Sequence, residues 1–179
     1  MKIKKYETEV AGRALEVEFS DLASQASGSV LVRYGGTVVF ATATIARDPK
    51  SGMSYFPLSV DYEEKFYAAG QILGSRFMRR EGRPSEEAVL TGRLIDRTLR
   101  PLFNHKIRHD VQVVVMTLAI DGENDPDVPA ILAASLAVAT SPIPWDGPVS
   151  PFRVALKDGA DVLNPTYEDR KSMSLDLIA

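Results

Sequence analysis

The period of apolar and polar positions changes several times along the chain, and those changes divide it into elements. Over residues 13–19, Leu15, Val17 and Phe19 alternate with Ala14, Glu16 and Glu18, the two-residue period of a half-buried strand. Ala11-Gly12 before this run and the Ser-rich stretch 24–29 after it read as turns. Two β-branched-rich runs follow, 29–34 and 37–46, separated by Gly35-Gly36. Primed hairpin turns need positive φ, so the glycine pair predicts a hairpin. A loop with Pro49 and Gly52 leads to another strand near 57–63. Four to five short strands in succession predict a meander-like sheet.

From residue 65 to 84 no period is visible, and Gly70, Gly74, Gly82 and Pro84 interrupt the segment. A loop of about 20 residues is longer than compact domains usually hold without a purpose. A helix is predicted over 85–100. Ser85 can cap it, Glu86 and Glu87 sit where the dipole favours acids, and Pro101 ends it. Residues 109–120 form a strand with Val111, Val113, Val115 and Thr117 on one side. An acidic turn, 121–127, then leads to a second helix reaching about 140, capped by Asp127, with Pro129 in its first turn. Its sequence, VPAILAASLAVAT, has almost no polar face and predicts burial. A loop follows, then a hairpin about Lys157-Asp158-Gly159, a further loop over 164–171, and an alternating run, 173–178, that begins a strand. Nothing follows to cover that strand. The expectation is one domain, 1–179, cut short near its C-terminal strands.

Composition adds exclusions. The 179 residues contain no cysteine, so disulfides, thiolate metal sites and cysteine nucleophiles are ruled out. MKIKKYETEV has a basic start without a following apolar run, unlike a secretory signal. The apolar run 130–139 falls far short of the ~20 residues that span a bilayer. A cytoplasmic protein with no membrane association is expected.

Charge changes the picture more. The net charge of −3 hides an asymmetry: residues 1–64 sum to −2, 65–108 to +6 and 109–179 to −7. A locally basic segment inside an acidic chain marks a candidate polyanion site, although a solvated charged surface would have the same composition. Placement on the helix favours the site. On a wheel of 100° per residue, Arg93, Arg97 and Arg100 fall within about 60° of one another, nearly opposite Ile95, Leu99 and Leu102. The stripe holds no acid, with Asp96 at its edge; adjacent cations repel one another unless an anion is bound. The loop upstream adds Arg76, Arg79, Arg80 and Arg83, with Phe77 and Met78 among them. Guanidinium forks grip phosphates, and an aromatic ring stacks on unpaired bases whatever their identity. The combination suits single-stranded RNA held by its backbone.

The string GSRFMRREGRPSEEAVLTGRLIDRTLRPLF, residues 74–103, closely resembles the signature of the first core domain of bacterial polynucleotide phosphorylases. The likeness extends over nearly the whole chain, through the 30–44 hairpin, the 124–127 turn and the closing VLNPTYEDRKSMSLDLIA. It implies a ribonuclease PH-like α/β (α+β) fold, also described as ribosomal protein S5 domain 2-like, with a mixed sheet and packed helices. It also implies two such domains per chain, a homotrimeric ring threaded by RNA, and RNA-degradation partners. The implied reaction is phosphorolysis, in which inorganic phosphate attacks the 3′-terminal phosphodiester, with Mg²⁺ as cofactor. Residues matching Phe77, Arg79, Arg80 and Arg83 would contact RNA, and those matching Arg93, Arg97 and Arg100 would face the phosphate-rich active region. The catalytic carboxylates and metal ligands of the family belong to the second core domain, so none is assigned here. Met78 stands where the family often has a second aromatic, and Arg76 is an added residue, which implies weaker stacking and more charge. Ribonuclease PH itself, a trimmer of tRNA 3′ ends, and a non-catalytic RNA-binding module remain alternatives.

Other groupings carry less. Asp121, Glu123, Asp125 and Asp127 have the alternate spacing of a calcium loop, but Pro126 and Leu132 stand where Gly and an acid are required. Asp61, Glu63 and Glu64 read as solvent-facing strand residues. His105 and His109 fall outside the helix, with no third ligand in view.

Overall fold

The computed structural model describes residues 3–72 and 83–179. Six strands form the main sheet in the order β1-β2-β3-β4-β6-β5: β1 Lys4–Val10, β2 Arg13–Phe19, β3 Gly28–Tyr34, β4 Thr37–Pro49, β5 Leu58–Glu64 and β6 His109–Ala119. The first four form an antiparallel meander, of which the pattern predicts β2, β3 and β4. The fifth does not continue it. β6 pairs antiparallel with β4 and parallel with β5, and so lies between them. Parallel neighbours need a long crossover, and here it contains a 3₁₀ turn, Phe66–Ala69, and helix α1, Glu86–Leu99. The expected meander is corrected at that point.

β1 is absent from the sequence reading because it has no apolar face: six of its seven residues are exposed. Pairing supplies what periodicity lacks. Lys5 bridges Glu16 at 3.1 Å and Glu18 at 3.4 Å, and the Tyr6 ring meets Phe19 edge-on at 5.9 Å.

α1 and α2, Asp127–Ala139, pack against the sheet and each other. Val30, Val32, Val39, Ala41, Val111, Val113 and Val115 from the strands meet Ile95 and Leu99 of α1 and Ile131, Ala134 and Val138 of α2. Each large side chain fully removed from water there contributes about 1.5–3 kcal/mol. α2 is buried along most of its length, as its apolar sequence predicts. Gly28 allows the close approach: a Cβ there would lie 2.2 Å from the Ala137 carbonyl oxygen. Gly35, at φ +58°, makes the predicted β3–β4 turn.

Asp127 is not the cap of α2. Pro126 occupies that position, and the Asp127 N–H donates to Asp125 Oδ1 at 3.0 Å. The Asp127 carboxylate instead accepts from Thr91 Oγ1 at 2.8 Å, which joins the two helices. A three-stranded sheet, ordered β8-β7-β9, completes the described structure: β7 Arg153–Lys157, β8 Ala160–Leu163 and β9 Leu175–Ile178. Asp158 and Gly159, both at positive φ, form the predicted turn. The expected loop over 164–171 contains a short helix, α3 Tyr167–Arg170, set by reciprocal capping between Thr166 and Asp169.

Candidate nucleic-acid interface

The start of α1 is positioned by Ser85. Its Oγ accepts the Ala88 N–H at 3.0 Å and donates to Glu64 Oε2 at 3.0 Å, fastening the helix to the end of β5. Further along, Gly92 lies against β5: a Cβ built there would be 3.6 Å from Tyr62 Cβ and 3.7 Å from the Val60 carbonyl oxygen. With Ala88, Gly92, Ile95 and Leu99 turned inward, Arg93 and Arg97 project to solvent on successive turns. Neither guanidinium has a hydrogen bond or ion pair among the described residues. The exposed Val89 and Leu90 place apolar surface on the same outer side.

Arg100 departs from the acid-free stripe expected from the wheel. Its Nε donates to Asp96 Oδ2 at 2.9 Å and its Nη2 to Asp96 Oδ1. The same Nη2 also reaches the Leu58 carbonyl at 3.1 Å, and Nη1 the Phe56 carbonyl at 3.4 Å. An acid at the edge of the wheel becomes a bidentate partner because i and i+4 side chains meet on a helix. Arg100 therefore braces the helix end against the start of β5, and of the three stripe arginines two face outward without a partner among the described residues. Trp145 Nε1 donates to the Leu99 carbonyl at 3.1 Å and satisfies part of that helix end.

Of the loop residues, Arg83 is exposed just ahead of Pro84 and has no partner among the described residues. Arg76, Phe77, Met78, Arg79 and Arg80 lie outside the described residues. His105 stacks on Phe56 at a ring separation of 6.2 Å and lies 3.2 Å from the Arg100 carbonyl. His109 bonds the Ala46 carbonyl at 3.0 Å. The two histidines serve different contacts.

The acidic turn is an anchor that sequence spacing did not identify. Asp121 Oδ2 accepts the Gly36 N–H at 2.9 Å and Oδ1 the Asn124 N–H at 2.8 Å, with the Asn124 amide and the fully buried Thr37 hydroxyl also in contact. Burial opposes its ionisation, but the N–H groups of Asn124, Glu123 and Gly36 outweigh it and hold the carboxyl at a pKa of about 2. Asp125, Asp127 and Asp176 gather around Arg153 and Arg170. Burial first, then the charge of Asp125, pushes the Asp127 pKa up, against the hydrogen bond from Thr91. Two guanidiniums already occupy this carboxylate group, so its donor set does not fit a divalent cation. Among the described residues no three His, Asp or Glu side chains are placed to hold a metal ion.

Residues 11–144 match the profile of the 3′ exoribonuclease family, domain 1. Curated relatives include polyribonucleotide nucleotidyltransferases of Alkaliphilus oremlandii, 49% identical over 175 residues, and of Macrococcus caseolyticus, 50% identical over 174. These alignments cover 98% and 97% of this chain but 25% and 24% of the relatives, so the chain spans about a quarter of their length. Among solved structures, rice (Oryza sativa) Rrp46 superposes with a TM-score of 0.67 over 99% of this chain and 75% of that one. At 14% identity that likeness shows the fold alone, a ribonuclease PH-like mixed sheet with packed helices.

Proposed function

This chain belongs to the 3′ exoribonuclease family, and from that premise we propose that it is the first core domain of a phosphorolytic 3′-to-5′ exoribonuclease. The substrate is single-stranded RNA. An oxygen of inorganic phosphate attacks the terminal phosphodiester phosphorus, the 3′ oxygen of the preceding nucleotide leaves and takes a proton, and a nucleoside diphosphate is released. The reverse reaction extends the polymer. Both reactants are anions, so the reaction needs cations already in place where they meet. The supporting observation is the pair Arg93 and Arg97, exposed, without a carboxylate partner among the described residues and carried on a helix braced at both ends.

In this reading Arg93 and Arg97 hold phosphates, Arg83 extends their surface, and Phe77, Arg79 and Arg80 contact the strand. Arg100 supports the site by fixing the helix end. The catalytic acids come from a second core domain, as does the site for Mg²⁺, whose role when bound is to neutralise charge developing on phosphate oxygens. Assembly as a homotrimer, a cytoplasmic location and association with RNA-degradation partners belong to the same proposal. Among the described residues no helix is long and apolar enough to cross a membrane.

The test joins the chain to a second core domain and follows nucleoside diphosphate release from oligoadenylate in phosphate buffer. Release that collapses in the Arg93→Ala/Arg97→Ala variant is expected. Persistent inactivity of the joined protein would count decisively against the reading. The chain alone should bind oligoadenylate without turnover, and the double substitution should lower the salt-dependence slope by about 1 per arginine.

A further inference from the structure

A concavity of about 560 Å³ lies at the end of the main sheet where β4 finishes and β6 begins. It arises from a mismatch in strand length. Ile45 pairs with Val111, and the next paired residue of β4, Pro49, faces His109. Three β4 residues therefore span the distance covered by one residue of β6, and the ladder opens. An irregularity of this kind redirects the side chains beside it. Arg47 comes from the opened stretch, Lys106 and Arg108 arrive from the connection that follows α1, and His109 is the first residue of β6. Ile45, Ile107 and Pro144 supply an apolar floor.

Among the described residues no carboxylate pairs with Arg47, Lys106 or Arg108. Arg108 Nη1 donates to the carbonyls of His105 at 2.6 Å and Ile107 at 3.0 Å, so backbone oxygens orient its guanidinium without cancelling its charge. The side chains of Arg47 and Lys106 make no hydrogen bond or ion pair among the described residues, the Lys106 backbone N–H alone donating to Asn104 Oδ1 at 2.9 Å. His109 Nδ1 donates to the Ala46 carbonyl, which leaves Nε2 for another partner. Of the neighbouring acids, Asp110 is taken by Lys50 at 2.6 Å, and Asp48 follows Arg47 in the chain. Such a concentration of uncompensated cations, in a chain of net charge −3, favours an anionic ligand. The volume falls within the roughly 300–1,000 Å³ of small-molecule sites.

We propose that this groove binds a nucleoside phosphate, with the phosphates on Arg47, Lys106 and Arg108 and the base against Ile45, Ile107 and Pro144. The choice of a nucleotide rests on the RNA reading above; the site itself is separate from Arg93 and Arg97. It lies toward the same end of the sheet as the C-terminus of α1, since Val111 also pairs with Leu58, whose carbonyl holds Arg100. A free nucleotide and a nucleotide unit within an RNA strand share this chemistry.

The experiment follows backbone amide shifts of the full 179-residue chain titrated separately with ADP, oligoadenylate and inorganic phosphate. Shifts should appear at Arg47, Ile107 and Arg108. A response to ADP identifies a free-nucleotide site, and a response to oligoadenylate alone identifies a strand contact. Arg47→Ala/Lys106→Ala should weaken that response about tenfold, the equivalent of about 1.4 kcal/mol, while Arg93→Ala/Arg97→Ala leaves the response to ADP intact. Unchanged circular dichroism would separate lost binding from lost folding. The inference is overturned if neither nucleotide ligand moves these signals, or if phosphate moves them as strongly as ADP. Oligoadenylate binding lost only in the Arg93/Arg97 variant would refute the groove and leave the proposed function standing. Silence at both places would remove both.

Discussion

Two groups of arginines in this molecule have opposite surroundings. Arg93 and Arg97 stand exposed on α1 without a carboxylate among the described residues. Arg153 is buried at the N-terminal end of α2, where it meets Asp125 and Asp176, and Arg170 bonds the same two acids at 2.6 Å and 3.0 Å. Residue type is the same in both places, so it does not separate a ligand-binding cation from a structural one. Partners and burial do. The second group holds the small sheet to the turn ahead of α2, because Asp125 precedes α2 whereas Arg153 and Asp176 belong to β7 and β9.

The largest expected effect comes from breaking the buried group. Arg153→Ala would leave Asp125 and Asp176 without their main partner, a loss of about 3–5 kcal/mol for a buried pair. Urea denaturation should register it, while oligoadenylate binding per folded molecule stays unchanged. A loss of binding with intact stability would show that the division between the two groups is wrong.

Asp121→Ala should destabilise the fold by about 1–3 kcal/mol, since it leaves the Gly36 N–H and neighbouring donors unpaired. The same residue gives the contrast a pH signature. Its folded pKa of about 2 lies below the ordinary 3.8, so the unfolded chain takes up the proton first as pH falls. The stabilisation is complete above about pH 4 and declines toward pH 2. Denaturation midpoints across that range should lose part of their pH dependence in the variant.

Phe77→Ala should weaken single-stranded RNA binding by roughly 1–3 kcal/mol if the ring stacks on bases. An unchanged binding titration would leave the arginines as the main contacts. The smallest expected change is the most diagnostic. Arg93→Ala/Arg97→Ala should alter stability by no more than about 0.5 kcal/mol, as exposed residues without partners do, while RNA binding falls. A marked drop in melting temperature would move these residues into the structural group.

Much of this arrangement was legible along the chain. The period-two runs placed β2 and β6, the β-branched-rich runs placed β3 and most of β4, Gly35-Gly36 placed a turn, and Ser85 with Pro101 bracketed α1. The phase of Arg93 and Arg97 opposite Ile95 and Leu99 was legible too, because a helix converts spacing directly into direction. β1 was not, since its strand character comes from a partner and not from an apolar face. Arg100 was misjudged because the wheel gives angles and not the reach of an Asp96 carboxylate one turn away.

Most local order therefore came from the amino-acid sequence by itself: β1 and α3 apart, which segments are helix or strand, where they turn, and which face of α1 carries charge. Backbone sterics and the periods of helix and strand act within a few residues, so neighbours suffice to express them. Only the tertiary structure decided that β6 inserts between β4 and β5, that Asp125 belongs to Arg153, and that Arg47 joins Lys106 and Arg108. Those encounters link residues 28 to 61 positions apart in the chain, or whole strands. Strand pairing and competition for buried partners settle them, and neither leaves a periodic trace in the sequence.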